Sequence, residues 1–228
     1  MWKKIRRITI KVIFWFFGLS ILSAIVFRFV PIKFTPLMLI RCVEQKVDGK
    51  DMKLNKDWVS LDQMSAALPL AVIASEDQKF EEHFGFDLDA IKKAEQYNSR
   101  HKGKKLKGAS TISQQTAKNL FLWPSRSWVR KGFEVYFTFL IEICWSKRRI
   151  MEVYLNIVEL GDGVYGVEAA SHEFFHKSAK QLTVREASLL AAVLPAPLKW
   201  RPDKPTAYLS RKSQRIVHFI SKLDPQDF

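Results

Sequence analysis

The chain has 228 residues, with 37 Lys and Arg against 23 Asp and Glu, a formal net charge of +14. Hydrophobic residues make up 47% and charged residues 26%, the balance of a globular or membrane-anchored protein and not of a disordered one. Nine Gly and nine Pro exclude collagen-like and low-complexity chains, and Cys42 and Cys144 alone make neither a disulfide framework nor a structural zinc site.

The N-terminus carries Lys3, Lys4, Arg6, Arg7 and Lys11, then an apolar run from Val12 to Phe27. A spanning helix needs roughly 17–25 residues. Ile8–Ile10 and Phe29–Ile32 lengthen the run, and Lys11 and Arg28 can snorkel outward. A cleaved signal peptide would need a small-residue site after the run, but aromatic bulk persists to Phe34. Residues 1–34 are therefore expected to be a basic tail and retained signal anchor. Positive-inside bias orients the N-terminus to the cytoplasm and residues 35–228, one domain, to the other side.

That domain reads as mainly α. There is no internal repeat and no Pro/Ser-rich linker. Pro69 opens a helix over 70–83. Asp87 caps a helix over 87–98. Thr111 and Gln114 form a capping box, as do Thr183 and Glu186 ahead of an apolar helix that stops before Pro195. Ser127 caps a long helix running through Phe133, Phe137, Ile141 and Cys144 to Leu160, ended by Gly161 and Gly163. Cys144 falls in an apolar pattern, which points to a buried free thiol.

Three polar constellations stand out. In the first, Val72, Glu76 and Phe80 share one face of the helix expected over 70–83. A carboxylate on an apolar stripe is desolvated, which suits general-base work. Asp77, His83 and Asp87 cluster with it, although a solvated Glu76 paired with Lys79 is the ordinary alternative. In the second, Gly108 and Ser110 precede a helix N-terminus, a place that favours anions. Thr111, Gln114, Gln115 and Lys118 follow at helical spacing, with Asn119 beside them. That face suits hydrogen bonding to sugar, amide and phosphate groups. In the third, Arg130, Lys131 and Glu134 could be a surface ion pair, but a cation ahead of the acid is the weaker order for one.

Nine basic residues and no acid lie between residues 96 and 133: Arg100, Lys102, Lys104, Lys105, Lys107, Lys118, Arg126, Arg130 and Lys131. With the five N-terminal cations they equal the net charge. Nucleic acid is the usual partner of such a patch, but an anchored domain outside the cytoplasm is a poor place to meet it. Lipid phosphate is the better match. Phe121, Trp123 and Trp128 lie within the basic stretch and suit the lipid–water interface, or core packing.

Taken together, the blocks EDQKFEEHFGFD (76–87), GASTISQQTAKN (108–119), RKGFE (130–134) and KRRIMEVYLN (147–156) resemble the monofunctional biosynthetic peptidoglycan glycosyltransferases, glycosyltransferase family 51. HEFFHKSAKQLTVREASLLAAVLPAP (172–197) is a weaker fifth block, and the resemblance covers about 55–215. The sequence departs at His176, where the family more often has Gly, a difference that bears on local backbone geometry.

The resemblance implies a lysozyme-like helical domain behind one transmembrane helix. It implies a hexosyltransferase of cell wall biogenesis and cell shape, on the outer side of the cytoplasmic (inner) membrane. Its substrates would be the undecaprenyl-pyrophosphate-linked disaccharide-pentapeptide and the growing glycan strand, joined by inverting β-1,4 transfer. Carried over, Glu76 is the general base on the GlcNAc 4-hydroxyl and Glu134 assists at the donor. Lys118, Arg130 and Lys131 hold the pyrophosphate, with Asp77, His83, Gly108, Ser110, Thr111, Gln114, Gln115, Asn119 and Arg126 at the substrate. Glu134 would act through a divalent cation, Mg2+ or Mn2+, or through the basic residues; no organic cofactor is implied. Partners would be the membrane and other cell-wall synthesis proteins, not nucleic acid. The chain ends soon after the last block, so no transpeptidase domain is expected. Ser99-Arg-His-Lys102 matches S-x-x-K only by accident, since no K-T-G triplet occurs. The competing class is a lytic glycan-cleaving enzyme of similar fold.

Overall fold

Apolar stripes and Ser, Thr or Asp caps recur along the chain, and helices follow from them. The computed structural model describes residues 1–101, 107–125 and 127–222, with ten α-helices and one small sheet among them. The mainly α class holds. Lys102, Lys104, Lys105 and Arg126 lie outside the described residues.

Helix α1 (Trp2–Phe27) is 26 residues long. At 1.5 Å per residue it reaches about 39 Å, enough for a bilayer core of ~30 Å. It is long and apolar enough to cross a membrane, and only 11% of its most apolar window is buried. Its second half is not a free tether. Phe16 packs among Phe133, Tyr136 and Phe137. Ser20 and Tyr136 share a 2.6 Å hydrogen bond, and the Trp145 indole donates to the Ala24 carbonyl at 2.7 Å. Arg149 closes the end by donating to the carbonyls of Phe27 and Val30, both at 2.7 Å. Thr35 then caps α2 (Pro36–Val47), with Pro36 in the first turn.

Helix α3 (Ala67–Glu76) is the central element. All of Ala67 to Ala74 is buried, as expected for a helix apolar on every side. It packs under α9 (Val184–Val193) and α10 (Ala207–Ile220). The helix ends at Glu76 and not at 83. Asp77 leaves the helical region, with φ −160° and ψ 79°. Its carboxylate is drawn across to the next helix instead, a tertiary demand that overrides local propensity. Phe80 still reaches the core, but by a loop and not by sharing a helical stripe with Glu76.

Asp87 caps α4 (Leu88–Arg100), accepting from the Ala90 N–H at 2.8 Å. Helix α5 (Ile112–Phe121) starts with both arms of its capping box made, and lies between α6 and α7. The long helix expected from Ser127 to Leu160 is two helices, α6 (Trp128–Cys144) and α7 (Lys147–Ile157). Trp145 is extended between them, and Ser146 caps α7 by accepting from the Arg149 N–H at 3.2 Å. The indole contact with α1 requires that break.

Gly161 ends a short strand and Gly163 lies in the turn after it, so neither ends a helix. Strand β3 (Val164–Tyr165) is central, antiparallel to β2 (Glu159–Gly161) and parallel to β1 (Asn55–Lys56). Helix α8 (Val167–Phe175) follows and ends at His176, whose φ of 56° and ψ of 35° are left-handed. Glycine is the usual residue there because it has no Cβ to strain. This is the backbone consequence of the departure noted at His176. Both cysteines are free and half-buried, so Cys144 is not the fully buried thiol its pattern suggests.

Candidate active site

Two open chambers meet at Gln115, the side chain that lines both. The first, about 550 Å³, is walled by Arg41 from α2, Lys118 and Asn119 from α5, Arg130 from α6, and Glu159 from β2. The second, about 600 Å³, is walled by Glu76 and Asp77 at the end of α3, by Asp87, Asp89 and Lys93 at α4, and by Gly108, Ser110 and Thr111 ahead of α5.

Glu76 is half-buried where α3 ends and the chain turns away. A carboxylate at the negative end of a helix is in an unfavourable field, so its partners matter. Its Oε2 accepts from Gln115 Nε2 at 3.0 Å and its Oε1 from Ser75 Oγ at 3.1 Å. Tyr154 holds the glutamine in turn, donating to Gln115 Oε1 at 3.1 Å. That bond fixes which end of the amide faces Glu76. The Tyr154 phenol is fully enclosed, and burial first, then the charge of Glu76, pushes its pKa well up.

The segment after Glu76 is stitched down behind it. Asp77 Oδ2 accepts from the Ile112 N–H at 3.0 Å, and Oδ1 bonds His83 Nε2 at 2.9 Å. The N-terminus of α5 was expected to favour an anion, and the anion it meets is the protein's own Asp77. Thr111 Oγ1 donates to the Gly85 carbonyl at 2.7 Å. Gly85 has φ +76°, and a Cβ there would lie 2.8 Å from Thr138 Cγ2, so the loop approaches α6 only as glycine. Beneath it, the buried Glu142 accepts from Ser113 and Lys147, and Lys147 also donates to the His83 carbonyl. Asp77 and His83 thus hold the loop and α5 together, with the Asp77 carboxylate already engaged.

The expected polar face of α5 divides. Gln115 and Lys118 face the chambers. Gln114 is buried and its Oε1 accepts from the Thr111 N–H at 3.1 Å, so it closes the capping box instead. Lys118 lies deep in the first chamber wall. Burial lowers its pKa most; the charges of Glu134 and Glu76 oppose that, while Arg130 and Lys131 reinforce it. One ammonium therefore stands in the field of both glutamates.

Glu134 is buried, and its two oxygens are taken by its own helix, by Arg130 Nη1 at 2.7 Å and by Lys131 Nζ. Among the described residues no group of three or more His, Cys, Asp or Glu could hold a metal ion. A lone carboxylate with both oxygens paired to cations is a poor donor set for Mg2+ or Mn2+. The residues at Glu134 do not fit the divalent cation.

Of the five described cations of the basic stretch, only Lys118 and Arg130 line the first chamber. Lys131 and Lys107 line a neighbouring groove with Ser110, Gln114 and Trp128, and Arg100 ends α4. Arg126 lies outside the described residues. Sequence reasoning missed Tyr154, Glu142 and Arg41. The first two sit in apolar helical patterns that read as core, and Arg41 lies outside every motif.

A family model described as Transglycosylase matches residues 44–220. Relatives named "Biosynthetic peptidoglycan transglycosylase" are similar along nearly the whole chain. The protein of Bdellovibrio bacteriovorus is 51% identical over 225 residues, 99% of this chain and 89% of its own. That of Bacteroides thetaiotaomicron is 51% identical over 219 residues, 96% and 88% of the two chains. That of Pseudomonas fluorescens is 52% identical over 219 residues, 96% and 90%.

Proposed function

This chain belongs to the transglycosylase family and is a peptidoglycan glycosyltransferase, and from that premise we propose how its two chambers divide the reaction. The sugar acceptor enters the second chamber and presents its GlcNAc 4-hydroxyl to Glu76. The carboxylate takes the hydroxyl proton as the oxygen attacks the anomeric carbon of the lipid-linked donor. The C–O bond to the pyrophosphate breaks on the opposite face, which inverts α to β and makes the β-1,4 link. Lys118 and Arg130 neutralise the pyrophosphate as it leaves with the bonding pair. A leaving group whose charge is met in advance by fixed cations needs no acid to protonate it.

The observation that carries this reading is Gln115. It touches Glu76, lines both chambers and is locked by Tyr154. A base placed so is commonly worth ~10²–10⁴ in rate. Glu134 acts through Arg130 and Lys131, holding the two side chains in place.

The same reading sets the protein at a membrane. Helix α1 anchors it, N-terminus in the cytoplasm, with the domain on the extracytoplasmic side of the inner membrane. Val135, Phe139 and Ile143 form an exposed stripe on α6, beside exposed Phe84 and Trp128. Exposed aromatic and aliphatic groups in line with an anchor suit the lipid interface. Phe121 differs, stacking on Phe137 at 4.4 Å. Other cell-wall synthesis proteins remain the expected partners.

The test is to supply the purified full chain with a lipid-linked disaccharide-pentapeptide. Long glycan that a muramidase digests is the expected product. Soluble fragments released from finished cell wall, with the lipid-linked substrate unchanged, would instead establish the lytic class.

A further inference from the structure

The first chamber contains a cation that no motif contributes. Arg41 stands on α2, the first helix after the membrane anchor, and lines the same chamber as Lys118 and Arg130. It lies ahead of residue 44, where the family match begins. Its guanidinium is part-held. Nη1 donates to Glu44 Oε2 at 2.7 Å. Nε is buried and ion-pairs with Glu159 Oε1 at 3.3 Å, at an angle poor for a hydrogen bond. Tyr165 donates to that same Oε1 at 3.3 Å.

A purely structural ion pair has no need to stand on a chamber wall. Here the Nε contact is long and the arginine keeps 30% of its side chain exposed on the chamber wall, while Glu159 is 10% exposed. A guanidinium offers five donors in a planar fork that matches phosphate oxygens, so the two made contacts leave capacity for an anion. Burial is the largest influence on Glu159 and pushes its carboxyl upward, while the Arg41 charge opposes that shift. Only eight residues, 28–35, separate α1 from α2, the helix that carries Arg41.

We propose that Arg41 is a third pyrophosphate-binding cation, contributed by the helix that follows the anchor, and that Glu159 is the residue that positions it. The proposal rests on the polymerase reading above. In it, the donor's pyrophosphate is gripped from α5 and α6 on one side and from α2 on the other. Its lipid then leaves past Leu37 and Trp123 toward the membrane.

The experiment uses the full chain in detergent with Arg41→Ala, Arg41→Lys and Glu159→Gln. A charge-assisted hydrogen bond to phosphate is worth enough that Arg41→Ala should raise KM for the lipid-linked substrate on the order of tenfold, with kcat within about threefold. Inhibition by inorganic pyrophosphate should weaken by a similar factor. Arg41→Lys keeps the charge but loses the fork, so its KM should fall between the two. Glu159→Gln should raise KM less than Arg41→Ala. An unchanged KM and unchanged pyrophosphate inhibition in Arg41→Ala, whether or not its melting temperature falls, would overturn the proposal. Should Arg41→Ala fail to fold, a wild-type KM in Arg41→Lys would do the same. Direct calorimetry with inorganic pyrophosphate separates the two readings. Loss of binding in Arg41→Ala supports the cation site even if no glycan is made, and equal binding refutes it even if glycan is made.

Discussion

The two chambers share one wall and carry opposite charge. The first has Arg41, Lys118 and Arg130 against Glu159; the second has Glu76, Asp77, Asp87 and Asp89 against Lys79 and Lys93. Three cations to one carboxylate suit a departing pyrophosphate. Four carboxylates to two lysines suit a neutral hydroxyl that must lose a proton. Only a few ångströms of Gln115 separate the two fields, and it hydrogen-bonds to Glu76 while lining the cationic side. The contrast explains why a single net charge of +14 is a poor guide to function: the charge is sorted locally.

The largest blow to that contrast is removal of the base. Glu76→Gln should lower kcat by about 10²–10⁴ while circular dichroism stays native, because the amide keeps the shape and one acceptor. Near-normal turnover would remove Glu76 from the mechanism. On the cationic side, Lys118→Ala should cost about 10²–10³ in kcat/KM.

Lys118 also gives the pH dependence a sign. Its folded pKa is lowered, so the ammonium is lost below the ordinary lysine value of 10.5 and the alkaline limb of kcat/KM should fall early. Over the interval between the lowered value and 10.5, the unfolded chain holds a proton that the folded chain has released. The contribution of Lys118 to stability therefore rises with pH while activity falls. Lys118→Arg should move the limb upward; an unmoved limb would assign it to another group.

A smaller effect is expected at Tyr154. Tyr154→Phe frees the Gln115 amide to turn, so kcat should drop several-fold. Stability should fall by only about 0.5–1.5 kcal/mol, the net worth of one hydrogen bond. Equal kcat in the variant would show that the glutamine needs no lock. The smallest effect is at a residue that lines neither chamber. His176→Gly relieves a left-handed φ of 56° and should raise stability by about 1 kcal/mol, visible in a melting curve, with activity unchanged.

The difference between chambers also marks what could be read in the chain. Local chemistry was legible: the boxes at Thr111 and Thr183 and the cap at Asp87 depend on residues three apart, and all three form. Glu76, Lys118 and Arg130 were legible as polar groups in patterned motifs. What depends on distant partners was not. Helix α3 stops at Glu76 because Asp77 reaches Ile112 in α5, and the break at Trp145 is tied to Ala24 in α1. Gln114 turns inward because the capping box needs it, although its spacing matches that of Gln115 and Lys118. Arg41 enters the chamber only because α2 folds back against α5, which no local pattern encodes.

The division of labour between the chambers can be measured with one small anion. Inorganic pyrophosphate is titrated by calorimetry into wild type, Lys118→Ala and Glu76→Gln. Binding should be lost or weakened at least tenfold in Lys118→Ala and kept in Glu76→Gln. Binding that survives Lys118→Ala but is lost in Glu76→Gln would place the pyrophosphate in the wrong chamber and contradict the mechanism.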